Sequence, residues 1–314
     1  MIALTYLLPI RSTSLSDLDA LTDYLTGLDV EQLIVVDGSS PSIFAAHARR
    51  WQDVCLHVRP DALPNALNGK VRGVLTGLRY ATCAKAVIAD DDVRYDDAGL
   101  RRIASLLDSH DLVRPQNYFD PLPWHAMLDT GRTLLNRATG GDWPGTLAFR
   151  RSALPSGYRG DVLFENLEMT RTILARGGRE LVANDLYVRR LPPTARHYWS
   201  QRVRQAYDEW ARPPRLILGM AVLPFVTLAL IEKRWDLLAG AGALVAALAE
   251  YGRRTGDGAR RFPALSSALA PLWVLERGVC SWAALYLRLR GGVRYGDTRL
   301  RIAATPLRTL RESA

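Results

Sequence analysis

The sequence predicts an α/β domain with a mainly parallel sheet and helices on both of its faces, followed by an apolar helical region. In the first half of the chain, short apolar runs that end in turn residues alternate with stretches of helical periodicity. Repeated strand–helix units require crossover connections and therefore a mainly parallel sheet. In the last third, residues 216–289 are dominated by Ala, Leu, Gly, Val and Trp. A length of 314 residues allows two structural units.

The individual elements follow from apolar periodicity along the chain. Apolar runs too short for helices predict strands at 3–10, 31–37, 54–58, 85–90, 146–151 and 179–185. Apolar residues that recur every three or four positions predict helices at 15–25, 42–51, 65–82, 126–138 and 163–178. The stretch 114–125 holds three prolines and three aromatic residues, and we interpret it as an ordered loop.

Composition and motifs exclude several classes of protein. Apolar residues make up 48% and charged residues 23%, which excludes disordered and collagen-like chains. The three cysteines form no C-x-x-C pair, which argues against a disulfide framework or a structural zinc site. No glycine-rich dinucleotide or P-loop motif is present. The net charge is +9, and arginine clusters at 189–215 and 288–311 flank the apolar region, which favours a membrane surface over nucleic acid.

Carboxylates follow two of the predicted strands. Asp37 ends one strand, and a run from Asp90 to Asp92 ends another. Ligands of such sheets bind beyond the carboxyl ends of the strands. Because alternate residues of an extended chain point to one side, Asp90 and Asp92 can act together, and their oxygens suit Mg²⁺ or Mn²⁺. The sequence therefore predicts a divalent-cation site there, with a solvated acidic turn as the alternative.

Three motifs in this order resemble the inverting family 2 glycosyltransferases, which have the GT-A fold. The motifs are IVVDGSS (34–40), NGKVRGVLTGLRYA (68–81) and VIADDDV (87–93). The resemblance covers roughly residues 2–190 and implies the use of a nucleotide sugar with Mn²⁺ or Mg²⁺. The stretch LERGVCSWAALYLRLRGGVRYGDTRL (275–300) resembles the tail of membrane enzymes related to the ceramide glucosyltransferase group.

The resemblance implies a role for each residue that matches a motif. Asp37, with Ser39 beside it, would bind the nucleotide through its base or ribose. Lys70 would lie near the nucleotide, although a surface lysine on a helix is the alternative. Asp90 and Asp92 would hold the metal, the diphosphate and the sugar.

The general base is the point at which the chain departs from the family. The family uses the Asp of a Glu-Asp pair at the start of a helix, whereas this chain reads FENLEM (164–169). Asn166 occupies the position of that Asp, and its amide cannot act as a base. Glu165 is the predicted substitute, with Asp161 and Glu168 as reserves. The alternative role for Glu165 is to complement the helix dipole. Because Asn166 replaces the usual Asp, a second alternative is that the chain is a non-catalytic relative that binds a nucleotide sugar or a lipid.

A partial motif precedes the apolar region. Lipid-directed family members carry Q-x-x-R-W, and here Gln201 and Arg204 match while Gln205 replaces the Trp. Gln201 and Arg204 are predicted to bind substrate, with an amphipathic surface helix as the alternative. Trp143 is predicted to line the acceptor site, with loop packing as the alternative. No metal-ligand spacing relates four histidines, each interpreted as structural: His47, His57, His110 and His125.

The apolar third is predicted to associate with a membrane. The run 216–231 holds sixteen residues and the run 237–249 thirteen, without a charge, although a span needs about 20. The expected topology is a hairpin of two tilted spans, with 264–287 interfacial or re-entrant because Glu276 and Arg277 are costly at mid-bilayer. The predicted organisation is a GT-A domain, an interfacial helix, membrane helices and a basic tail, at 1–195, 196–215, 216–290 and 291–314.

These expectations describe a hexosyltransferase-type glycosyltransferase at the cell membrane, with its catalytic domain in the cytoplasm. The donor is expected to be a UDP-linked sugar and the acceptor a lipid, and the family implies inversion at the anomeric carbon. No nucleic-acid partner is expected. Two alternatives stay open at this point: the non-catalytic relative, and a soluble glycosyltransferase whose apolar third forms a dimer interface.

Overall fold

The computed structural model describes residues 1–296 and 298–313. The chain divides into two compact units. Unit 1 comprises Met1–Pro115, Pro144–Ala183 and the segment from Thr305 on, and unit 2 comprises Gln116–Trp143 and Asn184–Ala304. The predicted domain borders stay predictions. The segment Gln116–Trp143 lies within the predicted 1–195 domain in sequence, but in the structure it packs with the helices of unit 2.

The strands lie close to the predicted positions, with additions. They are β1 (Ile2–Ile10), β2 (Val30–Asp37), β3 (Leu56–Val58), β4 (Lys85–Ala89), β5 (Val93–Arg94), β6 (Leu112–Phe119), β7 (Thr146–Arg150), β8 (Glu180–Arg190), β9 (Val293–Tyr295) and β10 (Thr298–Leu300). The loop predicted at 114–125 is wrong for its first half, since β6 occupies it. Pro115 is tolerated because the β6–β7 pairing runs through Leu112 and Val113.

The helices extend from the α/β part into the apolar third. They are α1 (Leu18–Thr26), α2 (Pro41–Trp51), α3 (Gly69–Tyr80), α4 (Asp97–Leu106), α5 (Trp124–Ala138), α6 (Glu165–Ala175), α7 (Ala195–Tyr207), α8 (Pro213–Ile231), α9 (Trp235–Arg254), α10 (Ala264–Leu289) and α11 (Leu307–Glu312). The predicted helix at 65–82 begins four residues later, because Asn68 caps α3 by accepting hydrogen bonds from the N–H groups of Lys70 and Val71.

The main sheet has the order β3-β2-β1-β4-β7-β6-β8-β5. Strands β3, β2, β1 and β4 pair in parallel, as predicted, whereas β7 pairs antiparallel with β4 and β6. Apolar side chains from the central strands and from α3 and α6 form the core of unit 1, including Leu7, Ile34, Val74, Ile88 and Ile173. The predicted α/β class with a mainly parallel sheet is confirmed.

Helices make up most of unit 2. Side chains from α5, α9 and α10 share a core that includes Leu134, Ala249, Ala270 and Trp273. Among the described residues, α8 is long and apolar enough to cross a membrane, and most of it is exposed. The second predicted span, in α9, does not meet the same criterion of length and composition.

Candidate active site

Two of the predicted acidic residues lie at one edge of the parallel sheet. Asp37 ends β2, and Asp90 directly follows β4. Strand β1 lies between β2 and β4 and is parallel to both, so the carboxyl ends of the three strands meet at that edge. Two strand spacings separate the Asp37 and Asp90 positions, which is about 10 Å. Unit 1 therefore presents two separate acidic positions.

Close packing of α3 on β1 positions Lys70. A Cβ at Gly73 would lie 2.8 Å from Pro9 Cβ, and one at Gly77 would lie 2.1 Å from Leu7 Cδ1. Only glycine lets the helix approach the strand this closely. Because Lys70 lies in the first turn of α3, this packing and the Asn68 cap fix where its side chain starts.

Lys70 joins two residues that the sequence predicts as metal ligand and base. Its Nζ lies 2.6 Å from Asp90 Oδ1 and 2.9 Å from Glu165 Oε1. The exposed fractions of these side chains are 16%, 25% and 18% respectively. Burial opposes the charge of Lys70, but the carboxylates of Asp90 and Glu165 raise the pKa of Lys70 above its usual value. The ammonium therefore stays charged and holds the two carboxylates beside each other.

A hydrogen-bond link relates the start of α3 to the start of α6. Asn68 Nδ2 donates to the carbonyl of Val162 at 2.9 Å, and Asn68 N–H donates to the carbonyl of Gly160 at 2.8 Å. Glu165 begins α6 three residues after Val162. Asn68 is a positioning residue for Lys70 and Glu165 that the sequence analysis did not single out. Its place in the N-G-K motif was the available signal.

The alternative bases have other partners. Asn166 Nδ2 donates to the carbonyl of Pro144 at 2.9 Å, which fixes the amide as a donor. Asp161 pairs with Arg159, and the hydrogen bond from Arg159 lowers the pKa of Asp161. Glu168 is fully buried, and its Oε2 accepts the N–H of Thr305 at 2.5 Å. The reserve roles of Asp161 and Glu168 stay predictions, and the geometry favours Glu165.

The donor set at the end of β4 fits Mn²⁺ or Mg²⁺. Asp90 and Asp92 are half-buried carboxylates that follow a buried strand. Carboxylate oxygens at the protein surface are the ligands that these hard cations prefer, often together with substrate phosphates. Asp90 also engages Lys70, so a cation there would share that carboxylate with an ammonium group.

Asp37 lies in a second cluster that the sequence analysis did not anticipate. His47 Nδ1 and His57 Nε2 lie 2.7 and 3.1 Å from Asp37 Oδ2, and Ser39 N–H donates to Asp37 Oδ1 at 2.8 Å. Burial alone would raise the pKa of Asp37, but hydrogen bonds from His57, Ser39 and His47 lower it below its usual value. No sequence spacing relates His47 and His57, but the fold brings both to Asp37. Their interpretation as structural residues stays a prediction.

The nucleotide contacts expected of Asp37 and Ser39 stay predictions. Both oxygens of Asp37 already accept hydrogen bonds, and its side chain is fully buried. The Ser39 hydroxyl accepts the N–H of Ser12 at 2.8 Å.

The remaining predicted residues lie in unit 2. Trp143 lies under the guanidinium of Arg212, 6.0 Å from its Cζ to the ring centroid. Gln201 donates to the Ser200 hydroxyl at 3.3 Å, and Arg204 Cζ lies 5.3 Å from the Tyr295 ring. Their roles in substrate binding stay predictions.

Arg202, between the two motif residues of α7, is the deeply buried arginine of this helix. It binds Asp129 at 2.8 Å and Glu276 at 2.5 Å. The sequence analysis passed over it in favour of Arg204. The available signal was the spacing of Tyr198, Arg202 and Ala206, which places them on one helical face.

Comparisons with known proteins agree with the α/β fold described above. Residues 15–155 match the family model for Glycosyl transferase family 2. The fold is similar to the mannosyltransferase PcManGT from Pyrobaculum calidifontis in complex with GDP-Man and Mn²⁺, with a TM-score of 0.53, 20% identity, and coverage of 89% of this chain and 87% of that one. No curated protein matches the chain.

A more distant similarity is to glucosyl-3-phosphoglycerate synthase from Mycobacterium tuberculosis in complex with Mn²⁺, UDP and glucosyl-3-phosphoglycerate. The TM-score is 0.37 at 17% identity, with coverage of 55% of this chain and 64% of that one. The family match over residues 15–155 and the sheet topology together support a glycosyl transferase family 2 domain on a GT-A-like fold.

Proposed function

We propose that the chain transfers a hexose from a UDP-linked sugar to a lipid acceptor at the cytoplasmic face of the cell membrane, with inversion at the anomeric carbon. The observation that carries the proposal is the Lys70 ammonium between Asp90 and Glu165. The ammonium group holds two carboxylates close together. Asp90 is suited to bind a metal–diphosphate, and Glu165 is suited to accept a proton.

Glu165 is the general base in this proposal. Its carboxylate takes the proton of the acceptor hydroxyl as that oxygen attacks the anomeric carbon, and the nucleoside diphosphate leaves from the opposite face. Lys70 holds Glu165 in place through their ion pair. Asn68, which ties α3 to the segment before α6, keeps the distance between the two residues short.

Asp90 and Asp92 would hold Mn²⁺ or Mg²⁺ together with the donor. When bound, the cation neutralises the negative charge that develops on the diphosphate leaving group. The mannosyltransferase of similar fold contains Mn²⁺ with its nucleotide sugar, which supports this choice of cofactor. Lys70 is near enough to Asp90 to supply a second positive charge to the leaving group.

The proposed membrane location rests on the outer surface of unit 2. Large apolar side chains there are more than half exposed, as in Ile217, Leu218, Leu228, Ile231 and Leu244. Exposed apolar surface on this scale marks a membrane or protein contact. The arginines that flank the apolar run match an anionic headgroup region. A lipid acceptor follows from a catalytic domain held at that surface.

A nucleotide screen tests the donor. The full chain in detergent is heated with UDP, GDP or TDP, each with Mn²⁺ and with EDTA. A nucleotide that binds only the folded state at a hundredfold excess over its Kd stabilises it by about 2.7 kcal/mol. We expect the largest rise in Tm with UDP and Mn²⁺. A larger rise with GDP would contradict the UDP assignment and leave the site assignment standing.

The Asp92→Asn variant tests the metal site. It removes one ligand charge, so sugar transfer should be lost and nucleotide binding should weaken more in Mn²⁺ than in EDTA. Asp96→Asn serves as the control, because Asp96 caps α4 through the N–H of Gly99 instead. Equal nucleotide binding by the wild type with and without metal would contradict the metal assignment.

Two measurements separate the alternatives. Hydrolysis or transfer of a nucleotide sugar by the wild type excludes the non-catalytic relative. Retention in the membrane fraction after an alkaline wash excludes a soluble enzyme with an apolar dimer interface. A chain that stays soluble and dimeric without detergent would support that interface and contradict the membrane location.

A further inference from the structure

A buried cluster at the end of β2 has the composition of a metal site. Asp37, His47 and His57 come from β2, α2 and β3 respectively, and their side chains are 0%, 3% and 5% exposed. Each offers one ligand atom, and these atoms all lie within 4.8 Å of one another. The proposed transfer mechanism uses none of these side chains.

The donor set differs from that at Asp90 and Asp92. Two imidazole nitrogens with one carboxylate oxygen suit zinc and its neighbours in the first transition row, whereas Mg²⁺ prefers oxygens. Around tetrahedral zinc with bonds of about 2.0–2.1 Å, neighbouring ligand atoms lie about 3.3 Å apart. The distances of 2.7 and 3.1 Å from Asp37 Oδ2 to His47 and His57 are hydrogen-bond distances and are shorter than this value. An ion would replace these hydrogen bonds, and the three ligand atoms, all within 4.8 Å of one another, would move apart around it.

Neighbouring groups hold all three side chains in orientation. Ser39 N–H donates to the other oxygen of Asp37 at 2.8 Å. The His47 ring stacks on Trp51 at a centroid distance of 4.4 Å, and the His57 ring stacks on Phe44 at 4.3 Å. Such outer contacts are typical of metal sites, where they orient the ligands and reduce the entropy lost on binding.

We propose that Asp37, His47 and His57 bind one zinc-class divalent metal ion in a site distinct from the cation site at Asp90 and Asp92. The carboxylate binds ionised and each imidazole binds neutral. Each imidazole binds the ion through an unprotonated nitrogen and carries its proton on the other ring nitrogen. Three protein ligands leave one position for water. The ion joins the ends of β2 and β3 to α2, with β1 separating it from Asp90.

Metal analysis of the full chain tests the site. The chain is purified without a tag or chelator and is measured by inductively coupled plasma mass spectrometry. We expect about one zinc-class ion per chain in the wild type and background levels in His47→Gln and His57→Gln. His197→Gln is the matched control, because His197 is exposed on α7. Asp92→Asn should keep the ion, which separates this site from the catalytic one.

A second measurement uses only the wild type, so its outcome does not depend on whether the histidine variants fold. The wild type is stripped with a chelator and titrated with Co²⁺ and then with Zn²⁺. Visible absorption of Co²⁺ bound to nitrogen and oxygen, together with a Zn²⁺-dependent rise in Tm, supports the site. Background metal in the wild type, no Co²⁺ spectrum and no stabilisation would overturn it and leave a hydrogen-bonded cluster. No readout depends on sugar transfer, so failure of the proposed function leaves this test valid.

Discussion

The two units place charged and apolar side chains in opposite ways. Unit 1 buries the apolar residues of its strands and leaves most of its charges at its surface. Unit 2 buries charged residues, among them Asp129, Asp142, Arg137, Arg202 and Glu209, and exposes many large apolar ones. A protein in water is stabilised by the first arrangement. The second suits a unit whose outer surface meets an apolar medium, and composition averaged over the chain conceals this difference between the units.

The largest effect expected in unit 1 is on catalysis. Glu165→Gln keeps the shape of the side chain and removes its basicity, so sugar transfer should fall by roughly 10²–10⁴ while nucleotide affinity changes little. Steady-state kinetics with the donor identified by the screen measures the effect. Asn166→Asp should not restore activity to Glu165→Gln, because Asn166 donates to the Pro144 carbonyl and a carboxylate there would repel it. Transfer by Glu165→Gln at the wild-type rate would place the base elsewhere.

The next effect concerns the buried charges of unit 2. Arg202→Leu leaves Glu276 without its arginine and Asp129 with only Arg132. Breaking a buried ion pair costs about 3–5 kcal/mol of unfolding free energy, measurable by denaturant unfolding in detergent. Arg308→Leu in unit 1 breaks an exposed pair with Glu312 and should change nothing measurable. If Arg202→Leu and Arg308→Leu have the same free energy of unfolding, the ion pairs of Arg202 in unit 2 contribute no more to stability than the exposed pair in unit 1.

A smaller effect is expected from the exposed apolar surface. Leu218 is 70% exposed in the first third of α8, and an aspartate in a membrane helix costs at most about 2.5–3.5 kcal/mol, the value at the helix centre. Leu218→Asp should therefore lower the fraction of the chain that stays in membranes after an alkaline wash. Leu15→Asp is the control, because Leu15 is also exposed, at 45%, but belongs to unit 1. If the two variants behave alike, the apolar surface of unit 2 does not face lipid.

The smallest expected effect is a pH dependence at Glu168. Burial raises the pKa of Glu168 above its usual 4.5. Between that value and the raised one, the unfolded chain has lost the proton and the folded chain keeps it, so the wild type loses stability as pH rises through this window. Glu168→Gln has no titrating group at this position and does not lose this stability. The Tm of Glu168→Gln minus the Tm of the wild type should therefore increase as pH is raised from 4 to 7.

Asp161 supplies the control of opposite sign. Its pKa is lowered by Arg159, so its stabilisation is present above its usual pKa and is lost as pH falls through the lowered value. Asp161→Asn should therefore be destabilised relative to the wild type at neutral pH, with a difference that shrinks in acid. The same pH trend for both variants would contradict the assigned directions.

Much of unit 1 could be predicted from the sequence because local patterns determine it. Buried parallel strands are continuous apolar runs, and Asp37 and Asp90 follow such runs directly. The convergence of Lys70, Asp90 and Glu165 could not be derived from spacing, because it depends on how α3 and α6 pack against the sheet. The resemblance placed each of them near the donor without giving their contacts.

The features that the sequence analysis missed all depend on contacts between residues far apart in the chain. His47 and His57 lie 10 and 20 positions from Asp37, and only the β2–α2–β3 crossover brings them together. Strand β6 was missed because prolines and polar residues look like a loop when its partner strand is unknown. Arg202 was missed because burial of an arginine depends on Asp129 and Glu276, which lie 73 and 74 positions away.

The order in which the segments alternate has a consequence for synthesis on the ribosome. The chain leaves unit 1 after Pro115, returns at Pro144, leaves again after Ala183 and returns at Thr305. Thr305 supplies the N–H that satisfies the buried carboxylate of Glu168 on the helix that begins with Glu165. Neither unit can be completed from an uninterrupted stretch of nascent chain. Unit 1 can therefore be completed only after Thr305 has been synthesised, when the apolar segments have already left the exit tunnel.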